Sequence, residues 1–222
     1  VAERMVEGFD LIVFDWDGTL LDSAAAIAQA IQASCRDLGL PEPSDEQARY
    51  VIGLGLGEAL RHAVPALREP DYPRIIERYR HHFLSMDHEL RLFDGVPQLI
   101  AELAGRGRML GVATGKSRVG LDRALAHTGL GEHFLATRCA DECFSKPHPA
   151  MLEQLMNKLG ADPARTLMVG DTTHDMQMAR NAGVAGLAVG FGAHPLAALE
   201  AEQPLACVRT PGDMARWLLE RA

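Results

Sequence analysis

Apolar positions along this chain follow two rhythms. Nearly unbroken apolar runs at residues 9–14, 109–113, 134–137, 166–169 and 186–189 have the length and continuity of strands covered on both faces. Between them lie segments with helical spacing, among them 117–127, 149–159 and 175–182. Strand-type runs alternating with helical ones predict an α/β fold built on a Rossmann-like parallel sheet. The stretch between residues 22 and 92 breaks the alternation, because it reads as helix throughout. Ser23 is placed to cap a helix over 24–38 that Gly39 and Pro41 stop, Ser44 or Asp45 starts another, and Tyr72-Pro73 opens a third running toward Met86. A helix around 98–105 follows the loop at Phe93-Asp94-Gly95. The expected organisation is an α/β core of residues 1–22 and 93–222 with an inserted all-helical cap of residues 23–92.

Composition adds little to the fold and more to the function. With 47% apolar and 23% charged residues, the chain is ordinary for a globular protein and long enough to bury a core. Charges at Glu3 and Arg4 stand where an export leader needs an apolar stretch, so the expectation is a soluble, cytoplasmic protein not bound to a membrane. A net charge of −8 argues against a nucleic-acid partner, since a phosphate backbone requires a cationic face. It leaves room for a small anionic substrate in a locally positive pocket. The four cysteines, with only Cys139 and Cys143 close together, suit free thiols better than a zinc site. Of 22 cationic residues only three are lysines, and two of these, Lys116 and Lys146, sit beside the chemistry described next.

The first strand run ends in Asp15-Trp16-Asp17-Gly18-Thr19, and the fourth in Gly170-Asp171-Thr172-Thr173-His174-Asp175. Carboxyl ends of strands are where ligands bind in open α/β sheets. Gly18 gives the backbone freedom to curl both Asp15 and Asp17 toward that crevice, while Trp16, on the opposite face, should point away. If both strands lie in one sheet, four aspartates converge. Two carboxylates about 4 Å apart repel by roughly 4 kcal/mol at an effective dielectric near 20. A cation is therefore expected, and Mg²⁺ suits an all-oxygen site that also takes a substrate phosphate. Taken alone, the second motif also fits a plain strand-to-helix turn in which Asp171 or Thr173 caps the helix.

In combination with Thr114-Gly115 after the second run and Lys146-Pro147 before the 149–159 helix, these motifs make the chain resemble the haloacid dehalogenase superfamily, in particular its helical-cap, phosphoglycolate phosphatase-like members. The resemblance spans residues 10 to about 191. It implies a hydrolase of a small phosphorylated metabolite, possible substrates including 2-phosphoglycolate. Asp15 would be the nucleophile, forming an aspartyl phosphate. Asp17 would protonate the leaving alkoxide and then activate water, its acid form favoured by negative neighbours. Mg²⁺ would be held by Asp15, the Asp17 carbonyl and Asp171, with Asp175 acting indirectly. Thr114 would donate to the phosphoryl group and Lys146 would neutralise Asp15 and the phosphoryl oxygens; Gly18 and Gly115 would line the phosphate site. Relatives that cleave carbon–halogen or carbon–phosphorus bonds lack an acid at the position of Asp17, so an oxygen leaving group is expected.

Several features stay open at this level. The alternatives are a sugar-phosphate phosphatase, a β-phosphoglucomutase-like phosphotransferase, or a non-catalytic binder on the same fold, and the protein is expected to be a monomer or homodimer. Gly53, Gly55 and Gly57 read equally as a cap loop facing the core or a plain linker. Arg49, Arg61 and His62 flank it as candidates for a substrate carboxylate. Lys116 reads more readily as a solvated helix start, and His148 and His174 as turn or helix-start residues.

Overall fold

Strand β1 (Leu11–Phe14) is apolar at every position and buried at every position, and its side chains divide strictly by parity. Ile12 and Phe14 join one hydrophobic cluster while Leu11 and Val13 join another. That is the period of two expected of a strand covered on both faces. In the computed structural model, which describes residues 8–222, β1 is central to a six-stranded, wholly parallel sheet of order β3-β2-β1-β4-β5-β6. The other strands are β2 (Met109–Thr114), β3 (Ala136–Cys139), β4 (Thr166–Gly170), β5 (Ala185–Val189) and β6 (Ala206–Val208). The residues that bear on an export leader lie outside the described ones.

The helices are α1 (Ala24–Asp37), α2 (Asp45–Tyr50), α3 (Leu56–Ala63), α4 (Tyr72–Asp87), α5 (Val96–Gly105), α6 (Arg118–Thr128), α7 (Ala150–Leu159), α8 (Thr173–Ala182), α9 (Leu196–Ala201) and α10 (Pro211–Leu219). Helices α5, α6 and α10 cover one face of the sheet, through residues such as Ile100, Leu121 and Met214. Helices α7 and α8 cover the other, through Met151, Leu155 and Met178. Among the described residues no helix is long and apolar enough to cross a membrane.

Helices α1 to α4 all fall between β1 and β2, and they build a hydrophobic cluster of their own around Ile31, Leu60, Ile75 and Phe83. The chain leaves the sheet and returns to it through two segments lying side by side. The Asp22 amide donates to the Arg91 carbonyl (2.9 Å) and the Phe93 amide to the Leu20 carbonyl (3.0 Å), with an antiparallel bridge between Leu21 and Leu92.

Three expectations shift. The third strand begins at Ala136 rather than 134, because the ladder to β2 pairs Gly111 with Ala136, and Leu135 faces solvent instead. Strand β6, with α9 and α10, carries the sheet beyond the fifth run; its three residues are too short for a periodic signal. Ser23 precedes α1 but its hydroxyl does not cap it. Replacing Leu103, fully buried on α5, with Ala is expected to cost about 2–5 kcal/mol in urea unfolding. Leu135→Ala, on a side chain 57% exposed, should stay within about 0.5 kcal/mol of the parent.

Candidate active site

Strand order reverses at β1, whose neighbours β2 and β4 belong to the two halves of the sheet. The crevice at such a switch point, outside the strand carboxyl ends, is the natural ligand site of an open α/β sheet. Asp15 follows β1, Thr114 ends β2, and Asp171 follows β4. The sheet register therefore converts three distant motifs into neighbours.

At the centre is a buried ion cluster. Lys146, 0% exposed, sets its Nζ 2.8 Å from Asp15 Oδ1 and 2.7 Å from Asp175 Oδ1. Lys146 thus pairs charge against charge with both carboxylates, while Asp15 Oδ2 has no hydrogen-bond donor among the described residues. Asp175 is the third residue of α8 and closes a capping box: its Oδ2 accepts from the Thr172 amide (3.0 Å) and hydroxyl (2.6 Å). Asp171 accepts from the Thr19 hydroxyl (2.8 Å) and the Ala193 amide (2.7 Å). A methyl group on Gly18, whose φ is +79°, would fall 2.2 Å from Asp171 Oδ2, so the turn after β1 presses backbone directly onto this carboxylate.

Oxygens of Asp15, Asp171 and Asp175 lie within 4.8 Å of one another. Three carboxylates face one ammonium, which leaves two negative charges uncompensated when all are ionised. Burial pushes the Asp15 carboxyl well above the usual range, against the pull of Lys146 and with Asp175 and Asp171 adding to the rise. Burial and then Asp175 raise Asp171 to about 7. Burial opposes the charge on Lys146, but Asp15 and Asp175 outweigh it and hold that amine above the ordinary lysine range. A divalent cation could supply the missing charge, and the buried Asp15 Oδ2, without a donor among the described residues, could serve as an oxygen ligand for it. Asp175 has both oxygens engaged, by Lys146 and Thr172, which suits an indirect role better than direct ligation.

Asp17 stands apart from this cluster. Its Oδ1 accepts from the Ser23 hydroxyl (2.7 Å) and pairs with Lys116 Nζ (3.0 Å). Its nearest charged neighbour is thus a cation, contrary to the expectation of negative neighbours. Ser23 spends on Asp17 the hydroxyl that was expected to cap α1. Lys116 is not a solvated helix start either: its side chain is 11% exposed and its ammonium lies 4.8 Å above the Phe83 ring of α4. Trp16 faces the core, edge-on to Phe134.

Thr114 is fully buried, and its hydroxyl oxygen accepts from the Lys116 amide (3.2 Å). At Gly115 a methyl would lie 2.4 Å from the Leu54 carbonyl, because the loop before α3 descends onto this point. Gly53 (φ +92°) packs on Thr172, and the Gly55 amide donates to Ser145 Oγ (2.9 Å) beside Lys146; Gly57 sits inside α3 with open space around it. The first two glycines therefore meet the core and the third does not. Arg49 is paired with Asp45 (2.7 Å) and Arg61 lies over the Tyr72 ring, and neither they nor His62 line the cavity between the helices and the sheet. His148 Nδ1 accepts from the Ala150 amide, a turn role.

His174 does more than start a helix. Its Nε2 and that of His194 both meet the Tyr50 carbonyl, at 2.8 and 3.0 Å, with the Tyr50 ring stacked on His194. His194 Nδ1 accepts from the Thr173 amide, so its proton is on Nε2 and is donated to Tyr50. Burial lowers both imidazoles below their ordinary range. This clasp fixes the end of α2, and with it the loop over Gly115. His194 and Tyr50 carry no local sequence signal, because the Tyr50 carbonyl meets both histidines across more than a hundred residues.

A buried carboxylate–ammonium cluster at a switch point, beneath an inserted helical unit, matches a known class. Residues 12–189 match the family model for haloacid dehalogenase-like hydrolases, and the chain belongs to that family. It is a hydrolase of the phosphatase type. It is 37% identical over 206 residues to the probable phosphatase IndB of Dickeya dadantii, covering 90% of this chain and 89% of the other. It is 32% identical over 189 residues to the phosphoglycolate phosphatase of Agrobacterium fabrum, covering 82% and 81%. Among solved structures, a predicted phosphoglycolate phosphatase from Haemophilus somnus superposes with a TM-score of 0.84 at 25% identity, covering 94% and 97% of the two chains.

The raised carboxyls set a sign for metal linkage. Asp15 and Asp171 hold protons more tightly in the metal-free fold than when unfolded. Their contribution is full below the ordinary value of 3.8 and is lost as pH rises toward and through about 7. A divalent cation held by these carboxylates should therefore stabilise little at pH 5 and strongly at pH 8. At about 100 times Kd, binding adds about 2.7 kcal/mol, or roughly 5–10 °C in Tm for a chain of this length. Thermal melts with Mg²⁺ and with chelator at both pH values check this; an equal shift at both would contradict it.

Proposed function

We propose that this phosphatase hydrolyses a phosphate monoester in two steps through an aspartyl phosphate on Asp15, with Mg²⁺ as cofactor. The observation that carries the reading is the Asp15 carboxylate, buried and charge-paired to Lys146 through Oδ1, with Oδ2 left without a hydrogen-bond donor among the described residues. Such a group is kept aligned and unmasked, which is what an in-line attack on phosphorus needs. Asp15, Asp171 and the Asp17 carbonyl would hold Mg²⁺, with Asp175 supporting from behind; the ion supplies positive charge against the phosphoryl oxygens. Lys146 neutralises the attacking carboxylate, and the Thr114 hydroxyl, with Gly18 and Gly115 leaving room for close backbone approach, orients the phosphoryl group.

Asp17 takes the proton traffic. It protonates the leaving alkoxide as the ester bond breaks, then removes a proton from the water that cleaves the aspartyl phosphate. Ser23 and Lys116 hold its Oδ1 and so leave the other oxygen for that work. Residues 23–92 serve as a cap over the core of residues 1–22 and 93–222, swinging on the paired crossings at Leu20–Asp22 and Arg91–Phe93 and excluding water when closed. Both the Asp17 geometry and the leaving-group proton it delivers favour an alkyl phosphate. 2-Phosphoglycolate, named for the Agrobacterium fabrum relative, is one such ester.

Asp15→Asn should abolish phosphate release from alkyl phosphates and from p-nitrophenyl phosphate alike, with circular dichroism unchanged. Asp17→Asn should lower kcat about 10²–10⁴-fold on an alkyl phosphate and much less on the rate of aspartyl-phosphate formation from p-nitrophenyl phosphate, whose phenolate leaves without a proton. Near-parent turnover by the Asp15 variant, read by phosphate release with Mg²⁺ and with chelator, would refute the assignment.

A further inference from the structure

The helical side of the active-site cavity is built from hydrocarbon. Ile76 and Tyr79 of α4 line it over the buried Ile27 and Ile31 of α1, and Leu84 of α4 and Val119 of α6 line it as well. The last two are 44% and 74% exposed and line the cavity, so they offer apolar surface that a ligand can cover. Glycolate makes poor use of such a wall. Its carboxylate asks for a cation close to the phosphate, yet the cation beside Asp17 is Lys116, already paired with that carboxylate at 3.0 Å and resting on Phe83. The other cations lining the cavity, Arg80 and Arg123, stand on exposed positions, and Arg123 is bound to Asp87 at 3.0 Å.

Volume points the same way. The cavity, open to solvent on one side, measures about 790 Å³, a volume in the range of sites that take drug-sized ligands. 2-Phosphoglycolate has about nine non-hydrogen atoms; even at a full water's share of about 30 Å³ each, it occupies roughly 270 Å³, a third of the space.

We infer that the physiological substrate is the phosphate monoester of an alcohol bearing an apolar body of ring size or larger, which packs against the α1–α4 wall while the phosphate meets Asp15. This rests on the phosphatase mechanism above and sets its substrate class. Covering Leu84 and Val119 releases water from both wall and ligand, and the gain appears in kcat/KM because the same contact persists while phosphorus is attacked.

The test uses esters whose alkoxides leave alike: ethyl phosphate, 2-phosphoglycolate and 2-phenylethyl phosphate, assayed with Mg²⁺ on the whole chain. The expected kcat/KM for 2-phenylethyl phosphate exceeds that of each of the other two at least tenfold. In the double variant Leu84→Ser, Val119→Ser, placed at exposed positions, the ratio of 2-phenylethyl to ethyl phosphate should fall at least threefold. A smaller preference in the parent, a preference for 2-phosphoglycolate, or a ratio that does not move in the variant overturns the inference while leaving the hydrolase reading standing. Absence of phosphate release from all three esters overturns both.

Discussion

One lysine ammonium shared by two buried carboxylates organises this molecule's chemistry. Lys146 has no exposed surface, and it bridges Asp15 to Asp175 across the gap between β1 and the start of α8. A buried charge is tolerable only when paired, and breaking such a pair costs several kcal/mol. The pairing is incomplete here, because Asp171 adds a further carboxylate within reach of the same oxygens. The cluster thus carries an excess of negative charge that a divalent cation is suited to cancel. A core of apolar residues would be more stable, and the persistence of this arrangement in a well-packed sheet is intelligible as a binding site.

The rest of the architecture serves that cluster. Parallel pairing of β1 with both β2 and β4 brings the three strand ends together. The capping box of α8 holds Asp175 toward Lys146, so one motif both starts a helix and completes the ion cluster. Backbone replaces side chain where space is tight, at Gly18 and Gly192 against Asp171, at Gly170 against Asp175 and at Gly115 against the loop before α3. On the helical side, the His174–Tyr50–His194 clasp and the Gly55–Ser145 hydrogen bond pin that loop, while Lys116 links Asp17 to Phe83.

What could be read from the sequence was whatever is local. Four apolar residues ending in Asp15-x-Asp17-Gly18-Thr19 announce a strand and its functional tip together, and Gly170-Asp171 repeats the pattern. The five longer strands and the insertion of helices after the first were legible for the same reason. Contacts across the fold were not. Ser23 carries the composition of a helix cap, and only its position beside Asp17 diverts its hydroxyl. Lys116 looks like any lysine before a helix until α4 covers it with Phe83. The arginines around the glycine loop were attractive by charge, but Asp45, one turn back on the same helix, claims Arg49, and Tyr72 of α4 lies under Arg61. Strand β6 was hidden by its brevity, since its assignment depends on pairing with β5.

Covalent capture of the intermediate reaches the centre of this account. Enzyme mixed with a turned-over phosphate monoester and Mg²⁺, quenched in acid within the first turnover, digested and examined by mass spectrometry, should carry one phosphoryl group on the peptide containing Asp15. Phosphate released in the first turnover with that peptide unmodified, or with the phosphoryl group on another residue, would contradict it.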